Sequence, residues 1–189
     1  EYMEVIRRLI DKGIVFVACS GRQYRSERKL FTPVADRLLY ISDGGTVVRT
    51  PKEILKVDTL PDEIWKGMCS MVRENMPSCD YFISTPERCF AEDGGSQMFH
   101  WLRDSYGYDI QEISDPRILE DQQIIKFSVY HPNACEELYN KATKDDNDLV
   151  LFSRYDVNAE SGEKIGNLTA HYNQNFKVSE KPYELLKLS

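Results

Sequence analysis

Three consecutive residues, Ser20-Gly21-Arg22, have the types and spacing to hold a phosphate. They follow a short apolar run and precede a segment of helical composition, residues 23–30. Gly21 has no Cβ, so the backbone can come close to a ligand there. The unpaired N–H groups at the start of the helix would face back toward the turn. The Ser20 hydroxyl would add a donor in the same direction. The plainer alternative is that Ser20 only caps the helix. A basic cluster, Arg22, Arg25, Arg28 and Lys29, comes directly after. It could raise the local potential for an anionic substrate, or it could be the wet face of a helix.

The elements that would position these residues begin with a helix over 4–11 and a strand over 14–20. The run from Ile14 to Ala18 is short, β-branched and preceded by Gly13, which reads as a buried parallel strand. A helix over 23–31 and a strand over 39–42 continue the alternation of a parallel α/β layer. A hairpin follows, 46–49 and 54–58, turned at Pro51. Pro61, Asp62 and Glu63 then open a helix whose apolar face is Ile64, Met68, Met71 and Val72. From there the pattern is α+β. Strands are expected over 81–84 and 88–91, a helix over 96–105 ending at Gly107, and a strand over 109–113. In 124–130, Ile125, Phe127 and Val129 alternate with Lys126 and Ser128. A helix from Asn133 through Lys144 and a strand over 149–152 follow. Residues 156–175 read as polar, with a turn at Glu160-Ser161-Gly162-Glu163. The implied organisation is an incomplete α/β layer over 1–59, a separate α+β domain over 60–177, and a possible return to the first domain over 178–189.

The order of elements in 4–48, the Ser-Gly-Arg turn and the later turn Asp43-Gly44-Gly45-Thr46 together resemble the haloacid dehalogenase superfamily, specifically its Cof-type sugar-phosphate phosphatases. The resemblance implies an α/β fold: a partial Rossmann-like core with a parallel sheet, carrying an α+β Cof-type cap. It implies that Ser20 is the family's second motif, which hydrogen-bonds the transferring phosphoryl group, with Gly21 and Arg22 beside it. Asp43 stands where the family has Asn in an Asn-Gly-Ala turn at the substrate. An acid there would repel an anion unless paired, with Arg22 the candidate partner. Near the end, Val178-Ser179-Glu180-Lys181 is similar to the family's third motif, with one extra residue and Pro182 in place of Gly. On that match Lys181 is the cation that neutralises phosphate and nucleophile; otherwise it is a surface lysine.

The family's first motif, Asp-x-Asp-Gly-Thr/Ser, and its fourth, Gly-Asp-x-x-Asn-Asp, do not occur in the sequence. The chain is therefore expected to be an internal piece of a longer phosphatase, without the nucleophile. The magnesium ion (Mg2+) of the intact parent would not be held by this chain alone. In that parent an aspartate attacks phosphorus, an acid protonates the leaving group, and water hydrolyses the aspartyl-phosphate. The substrate class implied is a small phosphorylated metabolite such as a sugar phosphate. The reading from another class is a non-catalytic module that binds a phosphorylated ligand or a partner. A flavodoxin-like nucleotide domain lacks its glycine fingerprint here.

Composition sets outer bounds. With 189 residues, 41% hydrophobic and 29% charged, the chain can bury a sizeable core. A net charge of -7 argues against nucleic acid or an anionic membrane as partner. No apolar stretch reaches the ~18 residues of a membrane span, and no signal-peptide pattern opens the sequence. The five cysteines, Cys19, Cys69, Cys79, Cys89 and Cys135, are scattered and odd in number, which suggests reduced thiols and a cytoplasmic setting. Cys19 reads as a small buried filler. His100, His131 and His171 show no metal-ligand spacing. The oligomeric state stays open.

Overall fold

The structure is a computed structural model that describes residues 2–131, 149–157 and 164–172. Helix α1 (Tyr2–Asp11) carries an exposed Glu4–Arg7 pair and buries none of its residues. Gly13, at φ +82°, turns the chain out of it. Strand β1 (Val17–Cys19) then pairs in parallel with β2 (Leu39–Ser42), Ala18 opposite Tyr40. The strand is shorter than the expected 14–20 and is not a buried one. It forms the edge of its sheet, and of its three residues only Ala18 is buried. Val15 precedes the strand and is 75% exposed. Cys19 is exposed, so it is not the buried filler its size suggested.

Between the two strands lies α2 (Tyr24–Leu30). Its Tyr24 packs edge-on against Tyr40, with Ala18, Val34 and Leu38 completing a small core. After β2, residues Asp43–Gly45 make a tight turn. Strands β3 (Val47–Arg49) and β4 (Ile54–Val57) add the expected hairpin, giving the order β1-β2-β3-β4.

Helix α3 (Asp62–Asn75) starts directly after Pro61. Its buried seam is Trp65, Cys69 and Val72, packed on Tyr81, Ile83, Phe127 and Val129. Ile64, Met68 and Met71 flank that seam, so the helix is rolled by about one residue from the face expected. Trp65 explains the roll, because it is the largest apolar side chain available to bury and its indole N–H reaches Asp62.

The second sheet has six strands: β5 (Asp80–Ser84), β6 (Cys89–Ala91), β7 (Ile110–Glu112), β8 (Lys126–Tyr130), β9 (Leu149–Val157) and β10 (Lys164–Tyr172). Their order is β7-β6-β5-β8-β10-β9, antiparallel except for β6 beside β7. A short helix, α4 (Gln97–His100), widens into a π turn over Trp101–Ser105 and ends before Gly107, at φ +67°. It covers the face of the sheet opposite α3 through Met98, Phe99 and Leu102.

With both faces covered, all five residues of β8 are buried, Lys126 and Ser128 included. β10 lies inside the stretch read as a polar tail, and β9 runs well past residue 152. The helix expected over 133–144, the turn at 160–163 and the segment 178–189 with Lys181 and Pro182 lie outside the described residues.

The seam predicts a contrast within α3. Trp65→Ala is expected to cost roughly 3–5 kcal/mol in urea unfolding, the scale for removing a buried aromatic. Met68→Ala, on the flank, is expected to cost clearly less. Equal losses would contradict the assigned seam.

Candidate functional site

The Ser20-Gly21-Arg22 turn is pinned from the end of β2. The Ser20 N–H donates to the Ile41 carbonyl at 2.9 Å. The Asp43 N–H donates to the Arg22 carbonyl at 2.9 Å, and the Gly44 N–H to the Ser20 carbonyl at 3.2 Å. Ser20 Oγ accepts from the Arg22 N–H at 3.0 Å, which leaves its own hydrogen free to donate. Ser20 does not cap α2: the capping position is Gln23, whose side chain makes no cap bond. A Cβ built on Gly21 meets nothing within 4 Å, so the turn is open on that side. Gly21 is not at positive φ, so the glycine serves close approach and not turn geometry.

Asp43 itself sits at φ +52°, the one non-glycine residue with positive φ among the described residues. That backbone suits Asn or Asp better than other side-chain-bearing residues, which accounts for an acid standing where the resemblance has Asn. The side chain is fully buried, and Asp43 Oδ1 lies 2.5 Å from Lys126 Nζ on β8. The partner is therefore Lys126 and not Arg22. Burial pushes the Asp43 carboxyl up, and the Lys126 ammonium pulls it back. Burial works against the Lys126 charge, but Asp43 more than offsets this, and the lysine stands above its ordinary value. The short contact decides for an ion pair, since a neutral carboxyl would leave Lys126 buried without the charge that raises it.

A second acid lies behind the turn. Glu27 is 2% exposed, and burial pushes its carboxyl up to about 7, with Asp43 adding and Arg22 opposing. Among the described residues, the buried side-chain oxygens without a hydrogen-bond partner are Tyr24 Oη, Glu27 Oε2, Ser42 Oγ and Asp43 Oδ2. Tyr24 and Glu27 belong to α2, Ser42 ends β2 and Asp43 opens the turn after it.

The basic cluster is neither a free electropositive surface nor a plain wet face. The Arg22 guanidinium donates to the Tyr106 carbonyl at 3.2 Å and to Ser26 Oγ at 3.1 Å, and lies 4.5 Å from the Tyr106 ring centre. Lys29 donates to the Gly107 carbonyl at 2.7 Å. Arg25 pairs with Asp109 at 3.2 Å, while Arg28 turns away to Asp36. Gln23, fully buried, brackets the Asp109 backbone: its Nε2 donates to the carbonyl at 3.0 Å and its Oε1 accepts from the N–H at 2.7 Å. Loop 106–109, which leads into β7, is thus strapped along α2, beside the turn. The exposed pairs contribute little each. The buried Gln23 bonds and the Lys126–Asp43 pair carry more weight.

Three of the expected site residues, Ser20, Gly21 and Arg22, form this single turn, and Asp43 stands directly against it. Lys181 lies outside the described residues. Lys126, Glu27 and Gln23 were not singled out as site residues by sequence reasoning.

A family profile for haloacid dehalogenase-like hydrolases matches residues 1–165, and the chain belongs to that family. A solved structure from Eubacterium rectale is 48% identical, with a TM-score of 0.71; the alignment covers 100% of this chain and 68% of that one. A haloacid dehalogenase-like hydrolase from B. subtilis is 15% identical, covering 98% of this chain and 70% of that one, at TM-score 0.68. A subclass IIB sugar phosphatase of the superfamily is 12% identical, covering 93% of this chain and 63% of that one, at TM-score 0.66. The last two share the fold. The chain spans about two thirds of the length of these structures. No curated protein matches it. No helix among the described residues is long and apolar enough to cross a membrane.

Members of this family are generally magnesium-dependent. The described residues do not form a site for that ion. No group of three or more His, Cys, Asp or Glu side chains among them could hold a metal, and Asp43, beside the turn, is already neutralised by Lys126.

Two outcomes follow for stability. Lys126→Met strands a buried carboxylate and is expected to cost roughly 3–5 kcal/mol, while Asp43→Asn/Lys126→Met recovers part of that loss. Urea midpoints of the single and double variants check this; a double variant as unstable as the sum of the singles would refute a direct pair. For Glu27, the folded pKa near 7 lies above the unfolded value near 4.5, so the folded state binds its proton more tightly. Its contribution to stability is therefore full below the unfolded value and falls as pH rises from about 4.5 to about 7. Glu27→Gln is expected to flatten that fall, by roughly 3 kcal/mol across the window. Parallel pH–stability curves for wild type and variant would contradict it.

Proposed function

We propose that residues 1–189 are the partial core and cap of a magnesium-dependent phosphatase that hydrolyses small phosphate esters, such as sugar phosphates, in the cytoplasm. Residues 1–59 are the core portion, 60–177 the cap, and 178–189 the return to the core. The nucleophilic aspartate that would carry the aspartyl-phosphate intermediate is not among the residues of this chain. The observation that carries the reading is the turn itself: a serine hydroxyl with its hydrogen free, beside a glycine open to close approach, held rigid by backbone bonds.

In this reading the Ser20 hydroxyl and the Gly21 amide orient the phosphoryl oxygens, a preorganised donor set that stabilises charge developing in the transition state. Arg22 belongs to the phosphate turn through its backbone, while its guanidinium fastens loop 106–109 beside the site. Asp43 borders the substrate through its turn. Lys181 supplies the cation that offsets the charge of phosphate and nucleophile. The cap encloses the leaving group and excludes water.

The test is kinetic and uses the full-length parent protein. With p-nitrophenyl phosphate and magnesium, Ser20→Ala is expected to lower kcat roughly 10²-fold, the scale of one lost transition-state donor. An unchanged kcat would refute the assignment of the turn.

A further inference from the structure

Lys126 belongs to the middle of the six-stranded sheet, yet its ammonium ends beside the four-stranded one, against Asp43. It is 3% exposed, so it is walled off from solvent. Resting on the reading of Ser20-Gly21-Arg22 as the phosphate turn, we propose that Lys126 is a positioning residue for that turn, acting through Asp43.

The path is short and continuous. Lys126 Nζ holds Asp43 Oδ1 at 2.5 Å. The N–H groups of Asp43 and Gly44 hold the carbonyls of Arg22 and Ser20. Besides these two bonds, the turn has the Ser20 N–H to Ile41 and the internal Arg22 N–H to Ser20 Oγ. Asp43 keeps a backbone conformation that side-chain-bearing residues adopt at a cost, so something must hold it there. The buried ion pair does so, because releasing it would leave two charges in the interior. The cation reaches no ligand itself. Its effect is to make the spacing of Ser20 and Gly21 depend on the docked position of the cap sheet. Displacement of a catalytic group by even 1 Å can cost on the order of 10²-fold in rate.

The experiment measures kcat and KM of the full-length protein on p-nitrophenyl phosphate for Lys126→Met, Asp43→Asn, their double variant, Ser20→Ala and Val72→Ala. Val72 is buried on α3, away from the turn, and serves as a control for lost stability alone. Lys126→Met is expected to lose roughly 10- to 100-fold in kcat with little change in KM. Val72→Ala keeps the wild-type kcat at a comparable loss of melting temperature. The double variant is no slower than the slower single, because both singles break one path. A kcat for Lys126→Met within about twofold of wild type, or losses that multiply in the double variant, would overturn the proposal. Should Lys126→Met not fold, Asp43→Asn decides alone, since Asn tolerates positive φ: a lowered kcat supports the proposal and an unchanged one overturns it. Ser20→Ala separates the two levels. A loss there with Lys126→Met unaffected defeats only this inference, whereas no loss at Ser20 defeats the phosphate reading beneath it.

Discussion

A carboxylate and an ammonium buried against each other, Asp43 and Lys126, join the two sheets of this protein. Two charges in an interior are costly, and their mutual attraction offsets that cost only in good geometry. Such a pair adds little to net stability, but it penalises every arrangement in which the charges are apart. That makes it a device for fixing how one sheet sits against the other. Gln23 reinforces it with bonds to both polar groups of the Asp109 backbone, and Arg22, Ser26 and Lys29 strap the neighbouring loop to α2. The junction is polar, and at its buried members, Gln23, Asp43 and Lys126, a shift of register would strand several groups at once.

That constraint explains how the basic residues after the turn are used. Arg22, Arg25 and Lys29 hold loop 106–109, so the polar groups left open at the turn are backbone N–H groups and one hydroxyl, not a cloud of mobile cations. Fixed dipoles need no rearrangement when charge develops on a bound group. The unpartnered oxygens of Tyr24, Glu27, Ser42 and Asp43 concentrate behind the same turn, where polar groups are retained at a cost that an ordinary core avoids.

Local chemistry was legible in the sequence, and long-range pairing was not. Ser20-Gly21-Arg22 and Asp43-Gly44-Gly45 announce themselves through turn residues between strand and helix patterns, and both turns stand where expected. The hairpin through β3 and β4 and the alternation in β8 were equally readable. Lys126 escaped notice because alternation casts it as the outward partner of Phe127, whereas α4 covers that face and Asp43 lies 83 residues away in sequence. Glu27 reads as an ordinary exposed helix residue, and only the packing around α2 buries it. β1 was overextended because apolar content predicts burial on both faces, while as an edge strand it has one paired side. β10 was missed because its composition is polar, and its pairing with β8 and β9 supplies what its sequence does not.

Whether the Ser20–Gly21 turn receives a phosphoryl group can be measured directly. Crystals of the full-length protein soaked with tungstate, a heavy tetrahedral mimic of phosphate, would show the anion by its anomalous signal. The expected result is tungsten with an oxygen within hydrogen-bond distance, about 2.7–3.2 Å, of both Ser20 Oγ and the Gly21 amide nitrogen, and no such peak in Ser20→Ala crystals. Tungsten bound elsewhere, with the turn empty at saturating concentration, would contradict it.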